Sequence, residues 1–320
     1  MINNYTAHQP VLFDEVISSI KDNLSDDYKM AFDFTFGGGG HSFGLLENFP
    51  TLNLISFDQD PEALENGWRN IAAKNLGERI KLLSGNFSQF DNVLRENQIT
   101  SNPDVILMDL GVSSHHFDSP GRGFSFRFDA PLDMRMDFLK GQTAADIINS
   151  FSAEELKRIF IDFGEIYNSE ALIERIMIKR QASPILTTFD LKELVYQTWA
   201  PKKGVKIDPC TQVFQALRME VNQELKVIEE VIKKAARVIR PNGIIMAITF
   251  HSIEDRTVKN LFKELEEGET PFQIVTKKPI IPSEQEISNN KRSRSAKLRV
   301  IKRVSEKKKK NKYHQFSRKE

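Results

Sequence analysis

The chain has 320 residues, of which 40% are hydrophobic and 23 are Phe, which is enough for a large buried core. Its single cysteine, Cys210, excludes an internal disulfide, and no apolar run approaches the ~20 residues of a membrane-spanning helix. The first residues lack the basic and then apolar pattern of a secretory signal, so we expect a cytoplasmic protein without membrane contact.

The net charge of +1 conceals two regions of opposite charge. Residues 291–320 contain 14 Lys and Arg against 2 Glu, a net charge of +12, which leaves −11 for residues 1–290. A basic terminus on an acidic body favours a polyanionic partner. Residues 305–320 are equally consistent with a disordered, solubilising tail, whereas residues 291–304 alternate apolar and basic residues as a strand does.

Buried strands and helices alternate through the first third of the chain. Apolar runs predict four strands, at residues 29–36, 51–60, 79–87 and 102–111. Helical spacing follows each of the first three, and the helix that begins at Pro61 has Asp60 as its best N-cap candidate. The fourth run is almost unbroken, which is typical of a parallel strand covered on both faces. This alternation indicates a doubly wound α/β sheet.

The alternation stops between residues 117 and 210, where apolar residues recur at helical spacing. Ser152 and Thr188 are N-cap candidates for two of these helices. The sheet pattern then resumes with a long helix at 211–239, a strand at 243–250, a helix at 253–268 and strands near 271–279 and 296–304. We therefore divide the chain into a first α/β part at 1–116, a helical insertion at 117–210, a second α/β part at 211–304 and a basic, disordered tail at 305–320.

Candidate ligand-binding residues follow the predicted strands, where an open α/β sheet binds its ligands. They are His41 after four glycines, Asp58 and Asp60, Asn86 and Phe87, Asp109 before Ser113 and Ser114, and His251.

Four consecutive glycines occupy positions 37–40, between a strand and a helix, which favours a backbone that approaches a ligand over a slack linker. The G-x-G-x-x-G dinucleotide pattern fails, because its last position is Ser42 or Phe43. Asp58, roughly 20 residues beyond the glycines, is placed to hold a ribose in a site for NAD or for S-adenosylmethionine. A helix N-cap is the alternative role for Asp58.

Nine stretches, in order along nearly the whole chain, carry a resemblance to one family. They are HQPVL (8–12), DFTFGGGGHS (33–42), DQDPEAL (58–64), MDLGVSS (108–114), GRGFSF (121–126), PLDMRMD (131–137), FQALRMEVNQEL (214–225), ITFHSIEDRTVK (248–259) and RSRSAKLRV (292–300). In them the chain resembles the RsmH family, also called MraW, bacterial enzymes that use S-adenosylmethionine to methylate the N4 amine of a cytidine in the decoding region of 16S rRNA.

The resemblance implies a class I (Rossmann-like) methyltransferase sheet with an inserted helical domain for rRNA recognition, S-adenosylmethionine as methyl donor, no metal, and the small ribosomal subunit as partner. The oligomeric state stays open, with a homodimer among the alternatives. The implied cofactor residues are Gly39, Gly40 and His41 at the methionine side, Asp58 at the ribose, Phe87 at the adenine, and Asp109 and His116. The chain departs from the family at His116, Asp208, Gln212 and Lys291, where Gln, His, Arg and Pro are usual.

Methylation of an exocyclic amine requires alignment and an acceptor for the departing proton, because the ring delocalises the nitrogen lone pair. Asp109 is our leading candidate for orienting the amine, with the hydroxyls of Ser113 and Ser114, since no Asp-Pro-Pro-Tyr motif is present. His251 is a second catalytic candidate, with a structural histidine as the alternative. Cys210 should be inert.

Arginines alternate with phenylalanines in GRGFSFRF, a mixture that suits unpaired bases and phosphates. The alternative is that these rings pack the insertion. The predicted RNA-binding residues are Arg122, Arg127, Arg292, Arg294, Lys297 and Arg299. Three aspartates around Arg135 resemble a metal cluster, but a salt-bridged loop fits them better.

Two other functions are weighed against rRNA methylation. One is methylation of another nucleic acid, such as DNA cytosine, and the other is a non-catalytic role in ribosome assembly. A dehydrogenase is remote, because the dinucleotide pattern fails. We further expect Gly39→Val to abolish cofactor binding while the protein stays folded.

Overall fold

The computed structural model describes residues 10–25, 27–200 and 208–306. Its seven strands are β1 Met30–Asp33, β2 Asn53–Asp58, β3 Ile80–Ser84, β4 Val105–Asp109, β5 Ile244–Thr249, β6 Phe272–Ile274 and β7 Lys297–Arg303. They form one sheet in the order β3-β2-β1-β4-β5-β7-β6. Neighbours among β1 to β5 pair in parallel, and β7 pairs antiparallel with both β5 and β6. The predicted α/β class with a doubly wound sheet is confirmed.

Thirteen α-helices lie in the described part of the chain. They are α1 Phe13–Asn23, α2 Gly40–Asn48, α3 Pro61–Ala73, α4 Phe90–Glu96, α5 Ser114–Asp118, α6 Ala144–Ser150, α7 Ala153–Gly164, α8 Glu170–Ala182, α9 Thr188–Thr198, α10 Pro209–Val221, α11 Glu224–Val238, α12 Ser252–Glu267 and α13 Glu284–Asn289. Within these described ranges, no helix combines the length and apolar character needed to cross a bilayer.

Each face of the sheet has its own hydrophobic core. Alternate strand residues point to opposite faces, so Met246 of β5 packs with α1, α2 and α3, whereas Ala247 packs with α4, α11 and α12. All six residues of β5 are buried. Burial on both faces explains why this strand is apolar without a break.

A third core lies among helices α6 to α10 and contains Phe160, Leu172, Leu191 and Leu217. Because α10 contributes to it, the helical layer extends past the predicted boundary at residue 210. The single helix predicted over 211–239 is wrong: α10 and α11 are separated at Gln223, which has φ +51°.

Side-chain caps fix the starts of several helices. Asp60 accepts a hydrogen bond from Glu62 N and is the N-cap of α3, as predicted. Ser152 caps α7 through a capping box, also as predicted. The cap of α9 is Thr187 rather than the predicted Thr188, because it is the Thr187 hydroxyl that accepts from Asp190 N.

Candidate active site

The carboxyl ends of neighbouring strands meet at one edge of the sheet. In the registers, Asp33 lies opposite Ser56 and Leu107, and Asp109 lies opposite Ile248. The loops that follow β1, β2, β4 and β5 therefore enclose one region. This region is the candidate active site, at the place where an open α/β sheet binds its ligands.

Asp58 holds the glycine loop against the end of β2. Its Oδ2 accepts a hydrogen bond from Gly37 N at 2.7 Å, and its Oδ1 accepts one from Asp60 N at 2.9 Å. Burial raises the pKa of Asp58 to about 6, although these two hydrogen bonds oppose the shift. Each carboxylate oxygen keeps a free lone pair, so Asp58 can still accept from ligand hydroxyls.

The glycines of the loop differ in what surrounds them. Gly37 has φ +52°, and a Cβ there would meet only the Cβ of Ser113, at 3.9 Å. Gly39 has φ +80°, and a Cβ there would lie 2.4 Å from the Phe43 ring and 2.7 Å from the Phe36 ring. Gly37 thus presents its backbone to the site, whereas Gly39 is needed for packing. A valine at position 39 would have to displace both rings, which argues against the expectation that Gly39→Val leaves the protein folded.

Asp33, which sequence reasoning did not select, anchors the base of the site. It is fully buried and accepts hydrogen bonds from Ser42 Oγ at 2.6 Å and from Thr35 N at 3.1 Å. The Thr35 hydroxyl in turn accepts from Asp109 N at 2.7 Å. Burial raises the pKa of Asp33. Its position at the end of β1 was the available signal.

Asp109 and His41 face each other with unsatisfied polar atoms. Oδ2 of Asp109 lies 3.7 Å from Nε2 of His41. Among the described residues, neither His41 ring nitrogen makes a hydrogen bond of normal geometry, and Oδ1 of Asp109 is enclosed without a partner. The Asp109 side chain as a whole stays 27% exposed. Unpaired acceptors at a strand end are suited to N–H groups of a ligand.

The protonation states follow from burial. Burial lowers the pKa of His41 to about 4, although the Val11 backbone opposes the shift, so the imidazole is neutral near pH 7. Burial, together with the negative charges of Asp33 and Glu254, raises the pKa of Asp109 to about 8. Without a ligand, Asp109 therefore holds a proton at neutral pH.

His116 connects the loop after β4 to α3. Its Nε2 lies 2.5 Å from Oδ2 of Asp60, its Nδ1 lies 3.3 Å from the Ser113 hydroxyl, and its ring stacks on Phe124. Burial lowers the pKa of His116, while that of Asp60 is lowered, against its burial, by His116 and Arg122. The neutral ring thus donates to Asp60 and accepts from Ser113. In this structure His116 positions Ser113, whereas the cofactor contact expected of it stays a prediction.

Glu254 is a second buried carboxylate that sequence reasoning did not select. It is fully buried at the start of α12, and its Oε2 accepts from Phe250 N at 2.8 Å. Its Oε1 lies 3.0 Å from His251 Nε2 but makes no hydrogen bond of normal geometry to the described residues. A Cβ at Gly111 would lie 3.6 Å from that oxygen. Against the effect of burial, His251 and Arg218 lower the pKa of Glu254.

His251 belongs to this buried network. It is the N-cap of α12, and its Nδ1 accepts from Glu254 N at 3.4 Å. Glu224, His251 and Glu254 place three ligand-type atoms within 4.8 Å of one another. The guanidinium of Arg218 already donates twice to Glu224, at 2.7 and 2.9 Å, and lies 3.4 Å from His251 Nε2. Arg218 therefore supplies the positive charge in this cluster.

Two of the predicted RNA-binding arginines are buried in ion pairs. Arg122 lies 3.1 Å from Asp60 Oδ2 and donates to two backbone carbonyls, and Arg299 makes two hydrogen bonds to Asp255. Because each guanidinium group is already bound within the protein, these contacts argue against the prediction that Arg122 and Arg299 bind RNA.

The other four predicted cations are more accessible. Lys297 shares Asp255 at 3.1 Å, and Arg292 pairs with Asp118 at 2.6 Å on the surface. Arg127 and Arg294 are exposed, and neither forms an ion pair with a residue that the structure describes. These two are the free cations of the predicted set.

The remaining predicted positions have local contacts. Phe87 is half-buried and stacks on Phe34 at 6.3 Å between ring centroids. Ser114 begins α5, and its side chain lies outside the described part. Asp208 caps α10 and accepts from the Tyr196 hydroxyl at 2.7 Å. Burial raises the pKa of Cys210 to about 12, which keeps this thiol protonated.

The predicted salt-bridged loop is confirmed at Arg135, which donates to both oxygens of Asp133 at 2.8 and 2.6 Å. Lys140 lies 3.6 Å from Asp137 in the same loop.

Comparison with known proteins identifies the family. The model of the MraW methylase family matches residues 5–304. The chain belongs to the MraW methylase family. It is therefore a methyltransferase, as the resemblance of its motifs implied.

Similar proteins of this MraW family are named ribosomal RNA small subunit methyltransferase H. That of Fusobacterium nucleatum is 39% identical over 317 residues, covering 94% of this chain and 98% of the relative. That of Acaryochloris marina is 44% identical, covering 93% and 94%, and that of Leptospira interrogans (serovar copenhageni) is 38% identical, covering 99% and 96%.

Proposed function

We propose that this protein methylates the exocyclic N4 amine of a cytidine in the decoding region of 16S rRNA, with S-adenosylmethionine as methyl donor. The name shared by its relatives supports small-subunit rRNA as substrate. The structural observation that supports it is Asp109, whose side chain is 27% exposed at the end of β4 and whose Oδ1 has no hydrogen-bond partner among the described residues. A ribosomal RNA substrate would put this reaction in the cytoplasm.

The chemistry needs an acceptor beside the nitrogen. An exocyclic amine presents two N–H donors, and alignment of its lone pair is the main obstacle to methylation. The Asp109 carboxylate, whose side chain is 27% exposed, can accept one N–H and so fix the orientation of the amine. Methylation leaves an extra proton on the nitrogen, and the Asp109 carboxylate accepts it. Ser113, held by His116, adds a hydroxyl to the same loop.

The residues present fit S-adenosylmethionine. When bound, this group supplies a methyl group on a sulfonium cation. The backbone of Gly37, where an added Cβ would meet only Ser113, would border its methionine part together with Gly39, Gly40 and His41. Asp58 would accept from the ribose hydroxyls, and Phe87 would lie against the adenine. A positive charge near Asp109 lowers the pKa of its carboxyl and so favours the ionised form that the reaction needs.

The roles of His41 and His251 follow from their surroundings. His41 is neutral and borders Asp109 without pairing its charge, so it leaves the carboxylate free for the amine. His251 contacts both Glu254 and Arg218. We therefore propose that it positions these two side chains and does not transfer a proton. This assignment replaces the catalytic role considered for His251 from sequence.

The test is a transfer assay with radiolabelled S-adenosylmethionine. Isolated small subunits, naked 16S rRNA and duplex DNA are offered in parallel to the protein and to Asp109→Asn. We expect label in the RNA of one or both ribosomal substrates, none in DNA, and loss of transfer in the variant with cofactor binding retained. Label in DNA alone would support the DNA alternative. A protein that binds the rRNA but not S-adenosylmethionine would support the assembly-factor alternative.

A further inference from the structure

Three large apolar side chains are exposed together on the helical insertion. Phe128 is 46% exposed, Leu186 is 54% exposed and Phe189 is 40% exposed. Apolar side chains of this size are usually buried, and a group of them at the surface marks an interaction site. We call these three residues, with Arg127 and Lys192, the aromatic patch.

Backbone hydrogen bonds hold the two segments of the patch side by side. Leu132 N donates to Leu186 O at 2.9 Å, and Thr188 N donates to Ala130 O at 2.9 Å. The Thr188 hydroxyl donates to Phe128 O at 2.7 Å. The patch is therefore assembled before any partner binds, which lowers the entropic cost of binding.

Positive charge lies beside the rings. Arg127 is exposed and forms no ion pair with a described residue. Lys192 Nζ lies 4.7 Å from the centroid of the Phe189 ring and donates to Phe126 O at 3.1 Å. Both cations can therefore approach a phosphate from the edge of the patch.

The two neighbouring aspartates of the patch bind backbone amides. Oδ1 of Asp129 accepts from Phe189 N at 3.3 Å. Oδ2 of Asp190 accepts from Leu186 N and Thr187 N, both at 3.0 Å. Within the described part of the chain, neither aspartate forms a close ion pair with Arg127 or Lys192.

The patch is tied to the candidate active site through one loop. Met134 N donates to Arg122 O at 3.1 Å, which closes the loop that contains Arg127 and Phe128. The Arg122 guanidinium is fixed on Asp60, at the start of α3. A nucleic-acid strand that lies on the patch would thus be bound by the same loop that borders the candidate active site.

We infer that the aromatic patch binds an unpaired stretch of the RNA substrate next to the target nucleotide. Bases stack on Phe128 and Phe189, and Arg127 and Lys192 contact the adjoining phosphates. Rings interleaved with cations are typical of single-strand binding surfaces, whereas the centre of a protein interface is depleted of Lys. The inference rests on the proposed function and adds a substrate subsite to it.

The test compares the double variant Phe128→Ala/Phe189→Ala with Ile178→Ala. Ile178 is 63% exposed on α8 and lies outside the patch, so it is a matched control. KM for 16S rRNA, kcat, the Kd for S-adenosylmethionine and the Kd for a single-stranded RNA oligonucleotide are measured. Stacking contributes about 1–3 kcal/mol per base, so we expect the double variant to raise both RNA constants at least tenfold.

In Phe128→Ala/Phe189→Ala, kcat and the Kd for S-adenosylmethionine should stay within twofold of the parent. Ile178→Ala should change none of the four constants. Phe128→Trp/Phe189→Trp, which keeps aromatic rings at both positions, should retain RNA binding. Unchanged RNA constants in Phe128→Ala/Phe189→Ala would overturn the inference while leaving the proposed function intact. Normal binding of naked RNA with a loss confined to assembled subunits would also overturn it, because the patch would then contact protein. If the parent itself methylated no RNA, the proposed function would fail, and the inference with it.

Discussion

Asp109 Oδ2 lies 3.7 Å from Nε2 of His41, yet the two side chains do not neutralise each other. Burial keeps the imidazole uncharged, and burial also raises the pKa of Asp109 to about 8. The site thus keeps a carboxyl without a counter-charge where the strands end. Such a group is costly for folding but useful to a reaction that must hold an amine and accept its proton.

The pH dependence of activity should reveal this carboxyl. We expect kcat/KM for S-adenosylmethionine to rise with pH until about 8, because Asp109 must be ionised and this constant reports the enzyme before the cofactor binds. Asp109→Asn should lower kcat/KM about 100-fold or more at pH 8 and remove this limb of the profile. A variant that kept the parent's profile would contradict the role of Asp109.

The same carboxyl should lower stability at high pH. The folded protein binds the Asp109 proton more tightly than the unfolded chain does, so this group's contribution to stability is present below about pH 4 and is lost as pH rises through about 8. Asp109→Asn, which cannot ionise, should therefore be more stable than the parent at pH 8.5, by about 1 kcal/mol or more, and closer to it at pH 5. Urea unfolding at both pH values measures this. An equal difference at the two pH values would argue against a raised pKa.

The negative charge of Glu254 should raise the pKa of Asp109. Glu254→Gln removes a negative charge that raises the pKa of Asp109, so the midpoint of the kcat/KM profile should fall by about one pH unit. Glu264, exposed on the same helix α12, gives the control Glu264→Gln, which should leave the midpoint unchanged. A midpoint that stays near 8 in Glu254→Gln would exclude this coupling.

Substitution by alanine should have different effects at Gly37 and at Gly39. Gly37→Ala has space but an unfavourable φ, so it should cost about 1–2 kcal/mol of stability and raise the Kd for S-adenosylmethionine on the order of tenfold. Gly39→Ala must displace the Phe36 and Phe43 rings and should cost more than about 2 kcal/mol. Thermal unfolding and calorimetric titration measure the two effects. Parent-like cofactor affinity in Gly37→Ala would remove the loop from the proposed cofactor site.

The protein should tolerate glutamine, the residue usual in the family, at position 116. A Gln side chain can donate to Asp60 and accept from Ser113, so His116→Gln should keep activity within about threefold. His116→Ala leaves part of the buried Asp60 carboxylate without a donor and should cost about 1–3 kcal/mol in urea unfolding. A His116→Ala protein as stable as the parent would show that the contact between His116 and Asp60 does not stabilise the fold.

The fold was largely predictable because its signals are local. The unbroken apolar run of β5 and the caps Asp60 and Ser152 each identify their element from a few neighbouring residues. The break before α11 was not predictable, because Gln223 is a good helix former and adopts φ +51° only in its tertiary context.

The site was predictable where the chain order places polar residues at strand ends, as with Asp58 and Asp109. It was not predictable where the partner is distant in sequence. Arg122 pairs with Asp60 across 62 positions and Arg299 with Asp255 across 44, so neither burial could be inferred from a basic, aromatic-rich motif. Glu254 could not be selected from the sequence, because the feature that distinguishes it is a buried oxygen without a hydrogen-bond partner among the described residues, and only the tertiary structure reveals this.

The most direct measurement of the central claim is mass-spectrometric mapping of methylated nucleosides in 16S rRNA from cells with and without this protein. We predict that one cytidine in the decoding region loses its N4-methyl group when the protein is absent, and regains it on complementation with the parent but not with Asp109→Asn. An unchanged N4-methylcytidine content of 16S rRNA in cells that lack the protein would contradict the account.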